Sequence, residues 1–222
     1  MAYDDIYSRV KDYFGSEPTG IVREHYTRID KKRPVLDIGT GQGRNAFFLA
    51  RKGYIVDAID PSRVAIDTVA NIAEKENLPI SANQCGFENF IPLTDFYSAI
   101  LLIGLIQILS WTEINILLKN ISTWTSRGSL IFVTAFTVED PSYEKTVADF
   151  RKIGNNSFEK DKKQVHTYLE PGEILTLFRN YKVVYHNEGL GAEHYHGDRP
   201  AHRHGMVEAV FLKTDKGEYI IE

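Results

Sequence analysis

The chain predicts an α/β fold, a doubly wound seven-stranded sheet that is mostly parallel with an antiparallel last strand. Three observations carry this expectation. Apolar strand patterns alternate with helical patterns from residue 35 onwards, which implies right-handed crossovers and a parallel sheet. The run from Tyr97 to Ile103 is apolar almost throughout, as in a strand buried on both faces. The last two strand patterns follow one another with no helix between them, which marks an antiparallel hairpin at the sheet edge or inserted into it.

Taken in order, residues 4 to 14 place Ile6, Tyr7, Val10, Tyr13 and Phe14 at the offsets of an amphipathic helix, and Gly15-Ser16-Glu17-Pro18 breaks it. A second helix covers Thr19 to Ile29 and stops at Asp30-Lys31-Lys32-Arg33-Pro34. Residues 1–33 thus read as a helical extension or lid on a core of residues 34–213, in one domain of residues 1–222. The first strand is Val35 to Ile38, and the helix from Arg44 to Lys52 ends at Gly53, a C-terminal cap. The second strand, Tyr54 to Ile59, ends at Asp60, and Pro61-Ser62 opens a helix from Arg63 to about Asn77. Strands follow at Ile80–Gln84 and Tyr97–Ile103, then a helix at Glu113–Trp124 stopped by Arg127-Gly128, and a fifth strand at Ser129–Ala135. A long polar connection runs from Thr137 to Tyr168, helical over Tyr143–Ile153. The last elements are a helix from Glu173 to about Arg179 and strands at Lys182–Tyr185 and Met206–Leu212.

Composition narrows the classes of function. The chain is 43% hydrophobic and 25% charged, ordinary for a soluble globular protein. A net charge of −4 exerts no global pull on nucleic acid, and no nucleic-acid partner is expected. The single cysteine, Cys85, rules out an internal disulfide framework and fits a reducing, cytoplasmic setting. The acidic start Met1-Ala2-Tyr3-Asp4-Asp5 lacks the form of a signal peptide, and the apolar run Ala99–Leu109 is interrupted by Gln107 and too short to span a bilayer, so no membrane is expected.

The stretch Val35 to Asn45 organises the rest. A strand runs into Gly39-x-Gly41-x-Gly43 and from there into a helix, the arrangement in which backbone approaches a ligand and the N–H groups of a helix start face it. The spacing is not the dinucleotide pattern, whose third glycine comes one position later. Asp60, at the end of the second strand, stands where a carboxylate accepts both hydroxyls of a ribose. Asp37 precedes the first glycine by two positions, where it would repel a pyrophosphate but suit a cationic sulfonium amino acid.

The runs Leu36-Asp37-Ile38-Gly39-Thr40-Gly41-Gln42-Gly43-Arg44-Asn45 and Val56-Asp57-Ala58-Ile59-Asp60-Pro61-Ser62 resemble the Rossmann-like class I S-adenosylmethionine-dependent methyltransferases. The resemblance runs from about Val35 to Lys213. It implies that the glycine loop holds the methionine part of S-adenosyl-L-methionine, through Asp37, Gly39 and Gly41 with Thr40, Gly43, Arg44 and Asn45 beside them. It gives the ribose to Asp60 and Pro61. Family members often carry an Asp at the end of the third strand that contacts adenine. Gly86 stands roughly there, so that contact passes to backbone, to Phe87 or to Glu88. Ile103 opens the segment that faces the cofactor after the fourth strand. Gln107 beyond it is read as surface.

Four of the seven histidines cluster late in the chain, His194, His196, His202 and His204. In a hairpin that turns at Gly197-Asp198-Arg199-Pro200, the two H-x-H pairs would face one another, and neutral imidazoles so placed could hold a divalent metal ion, with Glu193 or Glu208 adding a carboxylate. Topology hangs this hairpin over the methyl group of the cofactor. His194, His196, His202 and His204 with Arg199 form the candidate acceptor site, either directly or through a metal, and His166 and Tyr168 are weaker candidates. A narrower resemblance, to the tellurite-resistance (TehB-like) methyltransferases, rests on Gly-x-Gly-Arg-Asn, the helix led by Pro171-Gly172-Glu173, and the tail around His194. In that family a His followed by Arg residues binds the substrate anion. His194 matches the His, Tyr195 stands where an Arg is usual, and Arg199 or Arg203 takes a later Arg position.

The implied activity is methyl transfer to a small-molecule acceptor, a tellurite- or selenite-like oxyanion or another soft nucleophile. The alternatives are a metal sensor or sequestering protein on a methyltransferase scaffold, a nicotinamide (NAD(P)-dependent) oxidoreductase, and methylation of a macromolecule. Oligomeric state is not legible.

Overall fold

The computed structural model describes residues 2–92, 94–161, 164–191, 193, 201 and 203–215. Three of the four clustered histidines (His194, His196 and His202), together with Arg199 and the expected turn at residues 197–200, lie outside the described residues.

The elements run in chain order as α1 (Ala2–Arg9), α2 (Gly20–His25), β1 (Val35–Ile38), α3 (Arg44–Arg51), β2 (Val56–Asp60), α4 (Arg63–Lys75), β3 (Ile80–Gln84) and β4 (Tyr97–Ile103). There follow α5 (Trp111–Trp124), β5 (Thr125–Phe136), α6 (Tyr143–Asp149), β6 (Arg151–Gly154), β7 (Ser157–Lys160), β8 (Gln164–Thr167), α7 (Glu173–Leu177), β9 (Lys182–Leu190) and β10 (Gly205–Leu212). The main sheet has seven strands in the order β3-β2-β1-β4-β5-β10-β9. The pairs among β1 to β5 are parallel. β10 inserts antiparallel between β5 and β9, as the sequence suggests for the last strand. Strand order reverses between β1 and β4. The crevice at the carboxyl ends of those strands is the place where such sheets bind ligands, and it lies beside the glycine loop.

Alternation along each strand divides the core between two faces. From β1, Leu36 and Ile38 pack towards α5 and α7, against Ile114, Leu117, Ile121 and Ile174. Val35 packs on the opposite face with Ala46, Phe47 and Leu49 of α3 and with Ile21 and Val22 of α2. Each such fully buried side chain is worth roughly 1.5–3 kcal/mol relative to exposure. Local signals set where the helices begin. Ser62 caps α4 by accepting from Ala65 N at 3.2 Å. A reciprocal capping box between Ser110 and Glu113 starts α5 at Trp111, two residues before the expected Glu113.

The structure corrects several expected boundaries. The N-terminal helix is shorter than residues 4 to 14, ending at Arg9, and Thr19–Ile29 divides into α2 and a 3₁₀ turn over Tyr26–Arg28. β5 starts directly after α5 and passes through Gly128 (φ +88°), so the Arg127-Gly128 stop is part of the strand. β9 extends to Leu190 because β10 pairs with it over its whole length. The largest difference lies in the connection from Thr137 to Tyr168. The helix expected over Tyr143–Ile153 ends at Asp149, and β6, β7 and β8 form a separate antiparallel sheet. Its first hairpin turns on Asn155-Asn156, with Asn156 at φ +43°, a two-residue turn signal in the sequence that the reading of a polar connection passed over. This small sheet docks at the ligand edge, where Thr167 Oγ1 donates to Leu109 O at 2.6 Å and Trp111 Nε1 donates to Asn155 O at 2.6 Å.

Candidate active site

The glycine loop leaves β1 with Gly39, Gly41 and Gly43 at φ +70°, +54° and +88°, conformations that cost other residues. The third glycine serves packing. A Cβ there would stand 2.8 Å from the Phe47 ring and 2.9 Å from Val69, so only glycine lets α3 and α4 close on the loop. Four of the loop's N–H groups bond within the fold. Gly39 N and Thr40 N donate to Ile59 O at 2.8 and 3.1 Å, and Gly43 N donates to Thr40 O at 3.0 Å. Gly41 N donates to Asp60 Oδ2 at 2.9 Å.

Two buried carboxylates flank the loop. Thr40 Oγ1 donates to Asp37 Oδ2 at 2.8 Å. Burial, with the Asp60 charge adding to it, pushes the Asp37 carboxyl up to about 6 against the bond from Thr40. Asp60 is also raised by burial, although the N–H groups of Ser62 (2.8 Å) and Gly41 hold its charged form. A pair of desolvated carboxylates gains from a cation or from hydroxyl donors, and the ammonium, sulfonium and ribose of S-adenosylmethionine supply both. The residues present therefore fit that cofactor.

A pH dependence follows from Asp37. Its folded pKa lies above the ordinary carboxylate value, so this group favours the fold below about pH 4, and that contribution is lost as pH rises to about 6. Asp37→Asn should therefore stabilise the ligand-free protein at pH 7 by up to about 3 kcal/mol, read as a higher Tm. The same variant should bind S-adenosylmethionine more weakly. In the native protein, cofactor affinity measured by calorimetry should be flat above pH 7 and fall below pH 6. A pH-independent affinity would remove Asp37 from the site.

At the end of β3 the Glu88 carboxylate folds back over Gly86, where an added Cβ would collide with it, and so brings an acid to the position that lacks one in the sequence. Phe87 is 4% exposed and packs in the core with Leu105 and Leu109. Pro61 is exposed at the end of β2, and Ile103 is half-buried at the end of β4. After β4, Gly104 (φ +69°) donates from N to Thr134 Oγ1 at 2.8 Å. Gln107 departs from the surface reading, because its Oε1 is buried with no hydrogen-bond partner among the described residues. Asn45 is engaged elsewhere, and Arg44 divides between the site, where its charge pulls the Asp37 carboxyl down against burial, and the N-terminal segment. Arg44 Nη1 donates to Phe14 O at 2.6 Å, and Asn45 Oδ1 accepts from Thr19 N at 2.9 Å.

On the acceptor side, the chain leaving β5 packs tightly on the start of β10, where a Cβ on Gly205 would collide with the Glu139–Asp140 backbone. That packing sets Asp140 beside His204. Asp140 is 3% exposed and accepts from His204 Nδ1 at 2.7 Å, from Ser142 N at 2.8 Å and from Gly205 N at 3.2 Å. Burial pulls its carboxyl up, but the bonds from His204 and Ser142 outweigh burial and keep it below the usual range. The His204 ring stacks on Phe136 with centroids 4.4 Å apart, and Phe136 stacks on Tyr168 at 6.3 Å. Tyr168 stacks in turn on His166 at 6.4 Å, whose pKa burial lowers. The sequence offers no signal for Asp140, since it lies 64 residues from its partner. Among the described residues no three His, Cys, Asp or Glu side chains gather into a metal-binding set.

The family model described as "Tellurite resistance protein TehB" matches residues 6–209. The chain belongs to the TehB family. A protein of Haemophilus influenzae named "Probable S-adenosyl-L-methionine-dependent methyltransferase TehB" is 29% identical over 216 residues, covering 95% of this chain and 68% of that protein. The crystal structure of TehB from Haemophilus influenzae superposes with a TM-score of 0.65 at 21% identity, covering 87% of this chain and 61% of that one. The chain thus spans about two thirds of the length of these TehB relatives. A Burkholderia thailandensis 1,6-didemethyltoxoflavin-N1-methyltransferase, solved with S-adenosylhomocysteine bound, has a TM-score of 0.64 at 15% identity and covers 96% of this chain and 89% of that one. Methyl transfer from S-adenosylmethionine is the activity that the printed name of the TehB relative gives to that protein, and the fold is the one that these structures share. No helix among the described residues is long and apolar enough to cross a membrane.

Proposed function

We propose that the chain transfers a methyl group from S-adenosylmethionine to a small, soft acceptor whose nucleophilic atom first gives up a proton. The observation that carries the cofactor half is the pair of buried carboxylates, Asp37 and Asp60, around the glycine loop, with Gly41 N donating to Asp60. Bound there, S-adenosylmethionine supplies a methyl group activated by its sulfonium. Asp60 holds the ribose hydroxyls, Asp37 faces the cationic end, and Glu88 stands near the adenine. Leu105, whose Cδ1 lies 3.3 Å from the Cβ position of Gly39, and Ile103 give the loop an apolar wall that excludes water.

On the acceptor side, Asp140 accepts a hydrogen bond from Nδ1–H of His204, which leaves Nε2 as the nitrogen that can take a proton. His204 removes the acceptor proton, and Asp140 stabilises the imidazolium that forms. His194, His196, His202 and Arg199, on the connection that leads to His204, complete the acceptor site in this reading. An oxyanion of the tellurite or selenite kind, which the family name suggests, would pair with His204 as an imidazolium and would not use it as a base. An acceptor such as a thiol, which carries a transferable proton, suits the pair. The test titrates the protein with S-adenosylmethionine and with NAD, then follows S-adenosylhomocysteine formation with thiols, tellurite and selenite, before and after chelation. Binding of S-adenosylmethionine alone and chelator-resistant turnover of a thiol are expected. Turnover of oxyanions only would overturn the acceptor assignment, and binding of NAD alone would overturn the whole reading.

A further inference from the structure

Three polar side chains that follow the first glycines, those of Gln42, Arg44 and Asn45, hold the N-terminal segment. Gln42 spans a turn of that segment with both ends of its amide. Its Nε2 donates to Val10 O at 3.0 Å and its Oε1 accepts from Tyr13 N at 2.8 Å. Arg44 donates to Phe14 O, with its guanidinium 5.8 Å from the Phe14 ring centroid. Asn45 accepts from Thr19 N and so fixes the point where the segment re-enters the fold as α2. A fourth tie comes from the end of β2, where Ser62 Oγ donates to Asp4 Oδ1 at 2.6 Å while Ser62 N donates to Asp60. The same serine therefore touches both the α1 helix and the expected ribose carboxylate.

What these ties hold in place is Tyr7. It is buried, it stacks on Tyr3 with centroids 5.5 Å apart, and its hydroxyl comes within 3.1 Å of the Cβ position of Gly41. The segment packs through a small apolar cluster of its own (Tyr7, Tyr13 and Ala65, with Tyr3, Ile6, Val10, Phe14 and Val64), separate from the two main cores. Two residues with positive φ, Asp12 at +52° and Gly15 at +82°, bend it. A segment with its own small cluster can open without unfolding the sheet.

We infer that Gln42, Arg44, Asn45 and Ser62 are positioning residues that act through residues 2–18, a strap that closes Tyr7 over Gly41 and must open for the cofactor to exchange. The inference rests on the cofactor site proposed above. Ligand and strap meet on the same loop, and by linkage the factor by which the ligand favours strap closure equals the factor by which closure favours the ligand. The residues that a motif reading gives to the cofactor therefore act on its residence time.

The test compares the full chain with a Gln42→Ala/Arg44→Ala variant and with Tyr7→Ala, which leaves the loop untouched. Folding of each is checked by circular dichroism and melting. Two rates are read: tryptic cleavage within the strap, after Arg9 and Lys11, and dissociation of S-adenosylhomocysteine by stopped-flow displacement. In the native chain S-adenosylhomocysteine should slow strap cleavage. In both variants cleavage without ligand and ligand dissociation should each rise about tenfold or more. Unchanged cleavage and unchanged dissociation in variants that still bind the ligand overturn the strap. A native chain that binds no S-adenosylhomocysteine overturns the cofactor reading itself, and the exchange role falls with it.

Discussion

Asp60→Ala is expected to lower affinity for S-adenosylmethionine by about 10²–10³-fold, because three interactions go at once. The variant loses the acceptor for the ribose hydroxyls. It also strands two buried N–H groups, those of Gly41 and Ser62, that Asp60 now accepts from at 2.9 and 2.8 Å. Each charge-assisted bond is worth about 1.5–3 kcal/mol, and each orphaned donor costs about 1–3 kcal/mol. Part of that loss falls on the free protein, so the Tm should drop as well. Asp60→Asn separates the effects, since its Oδ1 keeps one backbone bond while the charge is gone. Titration calorimetry on both variants decides the matter. An Asp60→Ala protein with native affinity would remove the ribose from this carboxylate.

The second large effect lies at the acceptor. His204→Ala should lower kcat by about 10²–10⁴-fold, the usual range for a general base, and leave S-adenosylmethionine affinity within about twofold. Asp140→Asn should cost nearly as much. An amide can donate to Nδ1, which would move the ring proton to Nε2 and leave the wrong nitrogen basic. The double variant should be little worse than either single one, since the two side chains work as a unit. Asp140 also accepts from Ser142 N and Gly205 N, so a melting curve must accompany the kinetics. Additive losses, or a His204→Ala variant that turns over at the native rate, would leave the pair a structural tie between β5 and β10.

Much of the cofactor half was legible because it is local. Gly39, Gly41 and Gly43 announce positive φ within five residues, and Asp60 follows at the end of the next strand, so motif spacing and strand order place loop and acid together. Legibility stopped at side-chain direction. Arg44 and Asn45 belong to the same motif, yet they turn to Phe14 and Thr19, because helical geometry points successive side chains of α3 to different sides. Phe87 next to Gly86 is drawn into the core for the same kind of reason, since an aromatic ring gains more from burial against Leu105 and Leu109 than from a rim. The small sheet was missed because four-residue strands carry too little alternation to stand out from a polar connection.

The sequence by itself determined the sheet, its crossovers, the glycine loop and the acid at the second strand, since each follows from hydrophobic period or backbone conformation within one or two elements. Only the tertiary structure decided which partner each polar group takes. Asp140 meets His204 across 64 residues because β10 inserts beside β5, and the N–H groups of Gly39, Thr40 and Gly41 turn inward because Ile59 and Asp60 lie within reach. A buried polar group must find a partner wherever packing supplies one, and packing is a property of the whole chain.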